Sequence, residues 1–106
     1  MTIITNQTPD ASQALGIYNW SVRSVVLRYG FKSTYLIGYS PILDTLGIAR
    51  IHRIYIKQKL IVEKYSDKIY LLCGKSEMDN ESEEFWVHYK KNHGRIIHDT
   101  DISHKY

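Results

Sequence analysis

Six cations, Arg50, Arg53, Lys57, Lys59, Lys64 and Lys68, fall within residues 50–72 against only Glu63 and Asp67, a local balance of +4. Guanidinium and ammonium groups at this density neutralise phosphates, and arginine also makes paired hydrogen bonds to guanine. His52 sits among them. The next stretch inverts the sign, with Lys75 against Glu77, Asp79, Glu81, Glu83 and Glu84 in residues 73–84. The formal net charge of +3 therefore hides a locally polarised chain. A second set of reactive side chains lies further on. His88, His93, His98 and His104 recur at near-regular spacing, with Cys73, Asp99 and Asp101 as further potential metal donors. Zinc ligands usually come in close pairs on a rigid turn, and these do not, so neither metal nor cofactor is expected. His93-Gly94-Arg95 with His98 and Asp99 offers a base and a cation for phosphate, the parts of a nuclease centre. No Gly-x-Ser-x-Gly elbow, phosphate-binding glycine loop or scaffolded carboxylate pair accompanies it. The expectation is a protein that is not an enzyme.

These groups must be positioned by secondary structure. Residues 1–9 have no periodic pattern and are expected to form a flexible arm. Pro9 and Asp10, with Gln13 three residues beyond Asp10, resemble a capped helix start. Leu15, Tyr18, Val22, Val25 and Tyr29 then recur at steps of three or four, which predicts an N-terminal helix ended by Gly30. Residues 33–39 (STYLIGY) favour a strand. Ser40-Pro41 repeats the cap-plus-proline arrangement before a short helix through Ile42, Leu43 and Leu46, broken at Gly47. Residues 48–59 fit two forms. As a helix they gather Ile48, Ile51 and Tyr55 on one face and leave Arg50, Arg53 and Lys57 opposite; as a strand they show partial alternation and many β-branched residues. The helix is the expectation. Residues 60–64 and 69–73 predict a hairpin about Tyr65-Ser66-Asp67-Lys68. Residues 75–84 are expected to be an acidic loop, residues 85–89 a strand or a last helix, and residues 98–106 a flexible tail.

Helix, glycine turn, basic helix and hairpin, in that order over residues 40–73, resemble winged helix-turn-helix DNA-binding proteins. The likeness rests on LGIARIHRIYIKQKLI, residues 46–61, and the hairpin after it. It departs at Leu43, where that family usually has a small residue, and at Arg53, where it usually has a buried aliphatic. The resemblance implies an α+β, winged-helix-like domain with an N-terminal helix, a short helix-turn-helix and a β-hairpin. Arg50, His52, Arg53, Lys57 and Lys59 would face the major groove of double-stranded DNA, and the wing lysines Lys64 and Lys68 would hold phosphates. The alternative fold is an antiparallel sheet packed on one N-terminal helix.

Bulk properties narrow the range. A chain of 106 residues, 43% apolar and 24% charged, suits one domain spanning 1–106. A domain this small buries only about two-thirds of its unfolded surface, so a homodimer is expected to cover more. No apolar run approaches the roughly 18–20 residues that cross a bilayer, and the expectation is a soluble cytoplasmic protein without membrane contact. The single Cys73 has no internal disulfide partner. Among nine tyrosines and two tryptophans, Trp20, Tyr29 and Trp86 are expected in the core or an interface. Tyr35, Tyr39 and Tyr70 would stack bases if the strands formed an open sheet. Two functions follow as expectations: a dimeric DNA-binding transcriptional regulator, or a phage or mobile-element product that inhibits a host enzyme or defence complex by binding protein, in the manner of anti-CRISPR proteins.

Overall fold

A computed structural model describes residues 9–106; of the arm expected at residues 1–9, all but Pro9 lies outside the described residues. After a 3-10 turn at Ala11–Gln13, five strands follow in succession: β1 (Leu15–Leu27), β2 (Lys32–Ser40), β3 (Thr45–Tyr55), β4 (Leu60–Glu63) and β5 (Ile69–Leu72). Helix α1 (Asn80–Asn92), strand β6 (Ile96–Asp101) and a 3-10 turn (Ser103–Lys105) complete the chain.

Neighbouring strands from β1 to β5 pair antiparallel, and β5 returns to pair parallel with the start of β1, Leu15 opposite Tyr70 and Ile17 opposite Leu72. An up-and-down ring of five must close on a parallel pair, and closure removes the open edges that a small sheet would otherwise present. Strand β6 takes the later half of that same edge of β1, antiparallel, with Val25 opposite Asp99. Ile17, Trp20, Val22, Leu36, Ile61 and Leu72 fill the barrel. Gly38 is required there, because a Cβ at that position would lie 2.3 Å from Ile17 Cγ2. On the outside of β2, Tyr35 and Ile37 join Val25 and Trp86 in a second layer beneath α1.

The winged-helix expectation is overturned, and so is the alternative with an N-terminal helix: the chain is a six-stranded mixed sheet with one α-helix, and that helix lies late in the sequence. Two of the three expected early helices, the N-terminal one and that at residues 48–59, are strands whose period is broken by a β-bulge. In β1 the register shifts between Tyr18 and Ser21, with Asn19 at φ 49, so Ile17, Trp20 and Val22 share the barrel side at spacings of three and two. In β3 the shift falls between Ile51 and Arg53 and leaves His52 as the extra residue. Ile51 and Ile54 therefore both face the barrel, as they would share a helical face. Ser40-Pro41 opens a turn, and Gly47 lies within β3.

The hairpin is found as β4 and β5. Residues 80–84 of the expected acidic loop belong to α1. Asp79 caps it by accepting from the Ser82 backbone amide at 2.8 Å, while Glu81 and Glu83 favour the positive end of its dipole. The expected tail is tied down: Ser103 Oγ accepts from the Val22 amide at 2.8 Å, and Ile102 and Tyr106 pack against the barrel cluster. No helix among the described residues is long and apolar enough to cross a membrane.

Candidate functional site

Helix α1 lies across β2 and directs Ser82, Trp86, Tyr89 and Lys90 toward the sheet, a spacing of one helical face. Tyr35 and Trp86 rings lie 5.9 Å apart, and Tyr89 meets Tyr35 edge-on at 5.9 Å. Trp86, Tyr89 and His93 form a column of nearly parallel rings, with centroid spacings of 5.8 and 3.9 Å and interplanar angles of 12° and 15°. His93 ends the helix: its backbone N–H and its ring Nδ1 both reach the Tyr89 carbonyl, the latter at 2.9 Å. A carbonyl only accepts, so Nδ1 carries the proton and Nε2 is left for other partners.

Beside this column a cleft of about 520 Å³ opens between the end of α1 and the outer face of β2 and β3. That volume lies within the usual span of small-molecule sites. Its polar walls are Arg50, Arg95, Tyr35, Tyr89, Asn92 and His93, with Leu27 and Ile96 as the apolar part. Arg50 stands opposite Tyr35 in the β2–β3 ladder, its guanidinium 5.7 Å from the ring centre. Nε donates to Ser33 Oγ at 3.2 Å and Nη1 to the Tyr65 hydroxyl at 3.4 Å, which holds the planar group in place. Burial, helped by Tyr35, pushes the Tyr89 phenol above its ordinary value while Arg50 opposes that rise, so Tyr89 is a neutral hydrogen-bonding group here. No carboxylate lines the cleft among the described residues.

Cations and exposed rings continue past both rims. Lys64 lies 5.4 Å from the Tyr65 ring on one side. On the other the Arg28 amide donates to the Arg95 carbonyl at 2.6 Å, bringing the β1–β2 turn with its exposed Tyr29 and Phe31 alongside.

The seven residues expected to bind DNA do not form one face. Arg50 alone lines the cleft. His52 and Arg53 are exposed at the β3 bulge, and Lys57 and Lys59 occupy the β3–β4 turn, where Lys59 Nζ donates to the Tyr106 carbonyl at 2.7 Å. Lys64 and Lys68 flank the β4–β5 turn at the far end of the four-residue β4, roughly 13 Å away at a strand's rise per residue. Lys68 instead rims the barrel mouth, a mainly apolar space of about 100 Å³ that also touches Leu15, Leu43 and Ile48. Residues 48–55 stand in a ladder with β2 and β4, so they cannot enter a major groove as a helix.

The three tyrosines proposed for stacking are occupied. Tyr35 is buried, Tyr39 donates to Asp44, and Tyr70 is half-buried, its phenol pushed up to about 12 by burial and the nearby Glu63. Of the nuclease-like set, His93 and Arg95 reach the cleft, but Asp99 does not. It is held by Lys90 Nζ at 2.6 Å and Arg23 Nη1 at 3.0 Å. Burial would raise its carboxyl, and those two cations outweigh burial and hold it below the usual range. Among the described residues no three His, Cys, Asp or Glu side chains gather to hold a metal.

Tyr89, Asn92 and the pairing of Arg95 with Arg50 were not singled out from sequence. The available signal was Trp86, Tyr89 and His93 at i, i+3 and i+7, visible once residues 80–92 are taken as a helix capped by Asp79. Comparison with known protein families, curated proteins and solved structures returns no match.

Proposed function

We propose that this protein binds nucleic acid without acting on it, holding a single strand at the cleft beneath the end of α1. The observation that carries this reading is the composition of one cavity: two arginines beside the exposed His93 ring that ends the aromatic column, with no carboxylate among its described lining. Single-strand binders combine backbone-neutralising cations with rings on which bases stack. The rims supply more of both, Lys64 and Tyr65 on one side and Arg28, Tyr29 and Phe31 on the other. A duplex is a poorer fit, because bases already stacked on their neighbours offer no free faces to a recessed ring.

The test is fluorescence anisotropy of a labelled oligo-thymidine 12-mer and of a duplex of equal length over a salt series. Single strand should bind more tightly, and its affinity should fall as salt rises. Arg50→Ala with Arg95→Ala should weaken it about 30-fold and lower the salt slope by about 0.7 per lost phosphate contact. Lys57→Ala with Lys59→Ala should change it about twofold or less. Equal losses from the two pairs, or no binding by the parent protein, would remove the reading.

A second reading has its own observation. Ile42 and Leu43 are 77% and 59% exposed on the β2–β3 turn beside the barrel mouth, an apolar pair suited to a protein partner. It predicts that Ile42→Ser with Leu43→Ser abolishes capture of a protein while leaving strand binding intact.

A further inference from the structure

We infer that the cleft is a one-nucleotide site: a base stacks on the open face of His93 while its 5′-phosphate sits between Arg50 and Arg95. This rests on the nucleic-acid reading of the same cavity and narrows it to a terminal or free nucleotide. Three observations lead to it. First, the Trp86–Tyr89–His93 column covers one face of each successive ring and ends at His93, which is exposed and lines the cleft. No further ring stacks on His93 among the described residues, and an exposed imidazole at the end of the column suits a flat heteroaromatic ring, since offset stacking needs only a π face.

Second, the proton on His93 Nδ1 is committed to the Tyr89 carbonyl, so the imidazole plane is fixed before any ligand arrives. A preset plane lowers the ordering cost of stacking. Third, Arg50 spends Nε on Ser33 and Nη1 on Tyr65, leaving its remaining N–H groups for an anion, and the exposed Arg95 lines the same cleft. Asn92 lies one residue from His93 in the same wall, although its amide now contacts the His88 ring at 2.9 Å. The volume of about 520 Å³ accommodates one nucleotide with its water and is small for several stacked units.

A free mononucleotide and the phosphorylated end of a strand share this chemistry, and the experiment separates them. Calorimetric titrations use adenosine 5′-monophosphate, adenosine, inorganic phosphate, and a thymidine tetramer with and without a 5′-phosphate. Adenosine 5′-monophosphate should bind with 1:1 stoichiometry and at least tenfold more tightly than adenosine or phosphate. His93→Ala should weaken it about tenfold, and His93→Phe, which keeps a ring, should restore most of that loss. Competition by the 5′-phosphorylated tetramer but not by its 5′-hydroxyl form assigns the site to strand ends. Failure of both tetramers to compete keeps the nucleotide site and overturns strand binding. Tight binding of the 12-mer with no binding of adenosine 5′-monophosphate, or with no effect of His93→Ala, overturns the one-nucleotide site and leaves strand binding standing. Should neither nucleotide nor strand bind, both readings fall.

Discussion

Strand β2 is covered on both faces, and the two coverings differ in chemistry. Toward the barrel, Leu36 meets Ile17, Trp20 and Ile61, and the polar atom of Trp20 is bonded to the Gly74 carbonyl at 3.3 Å. Toward α1, Tyr35 and Ile37 meet Trp86 and Tyr89 in a layer where Ser82 Oγ and Trp86 Nε1 are buried without partners among the described residues. A charged network of Arg23, Asp99 and Lys90 borders that layer on one side, and the basic cleft borders it on the other. The inner layer is closed by its own hydrogen-bonded ring, and among the described residues it leaves no buried polar side-chain atom unpaired. The outer layer is incompletely paired and open at one end, which is where a binding site can be built without weakening the barrel.

That contrast is broken most directly by removing the large ring at the centre of each layer. Trp20→Ala should cost about 4 kcal/mol in urea unfolding, because it leaves a cavity in the barrel and strips the Gly74 carbonyl of its donor. Hydrogen exchange should then quicken throughout β1 to β5. Trp86→Ala should cost about 3 kcal/mol, with faster exchange concentrated in α1 and loss of the cleft's aromatic column. If exchange in the barrel strands rises as much for Trp86→Ala as for Trp20→Ala, the two layers are one cooperative unit and the distinction fails.

The unequal legibility of the two layers has a physical origin. The hairpin β4–β5 was readable, since its strands are short, unbulged and separated by polar turn residues. Strands β1 and β3 carry a helix-like spacing because each contains one residue too many. At Asn19 and at His52 the bulge shifts the inward positions by one, so a period of two acquires steps of three. Nothing local to a sequence distinguishes that from one helical face; the strand partner opposite the bulge does. The acidic run concealed α1 for a different reason, since its carboxylates serve the helix start rather than solvent alone. Arg50 was legible as a phosphate ligand by type. Its partnership with Arg95 depends on β3 and the end of α1 meeting over β2, a tertiary fact.

The charged border sharpens the comparison through pH. Asp99 has a depressed carboxyl, so its contribution is present above the ordinary carboxylate range near pH 4 and disappears as pH falls through its folded value. Asp99→Asn should therefore cost about 1 kcal/mol at neutral pH, a figure discounted for partial solvent contact, and should cost nothing in strongly acid solution. Thermal melts of parent and variant from neutral pH downward should converge. Parallel curves would mean that Lys90 and Arg23 stabilise the outer layer through packing of their stems rather than through Asp99.

The smallest expected effect has the opposite sign, and it bears most closely on whether the outer layer is incompletely paired. Ser82 is fully buried, its backbone amide is taken by Asp79, and its hydroxyl has no partner among the described residues. Burying an unpaired hydroxyl costs roughly 1–3 kcal/mol, and alanine has the better helix propensity by a few tenths. The lost oxygen leaves a void too small to offset both. Ser82→Ala should accordingly raise stability by up to about 1 kcal/mol, or roughly 4–8 °C in Tm for a domain of this size. Asp79→Ala, which removes the cap itself, should lower stability by about 1 kcal/mol and so calibrates the measurement. A fall in Tm for Ser82→Ala would mean that the hydroxyl is bonded in solution, and the layer beneath α1 would then be as fully satisfied as the barrel it covers.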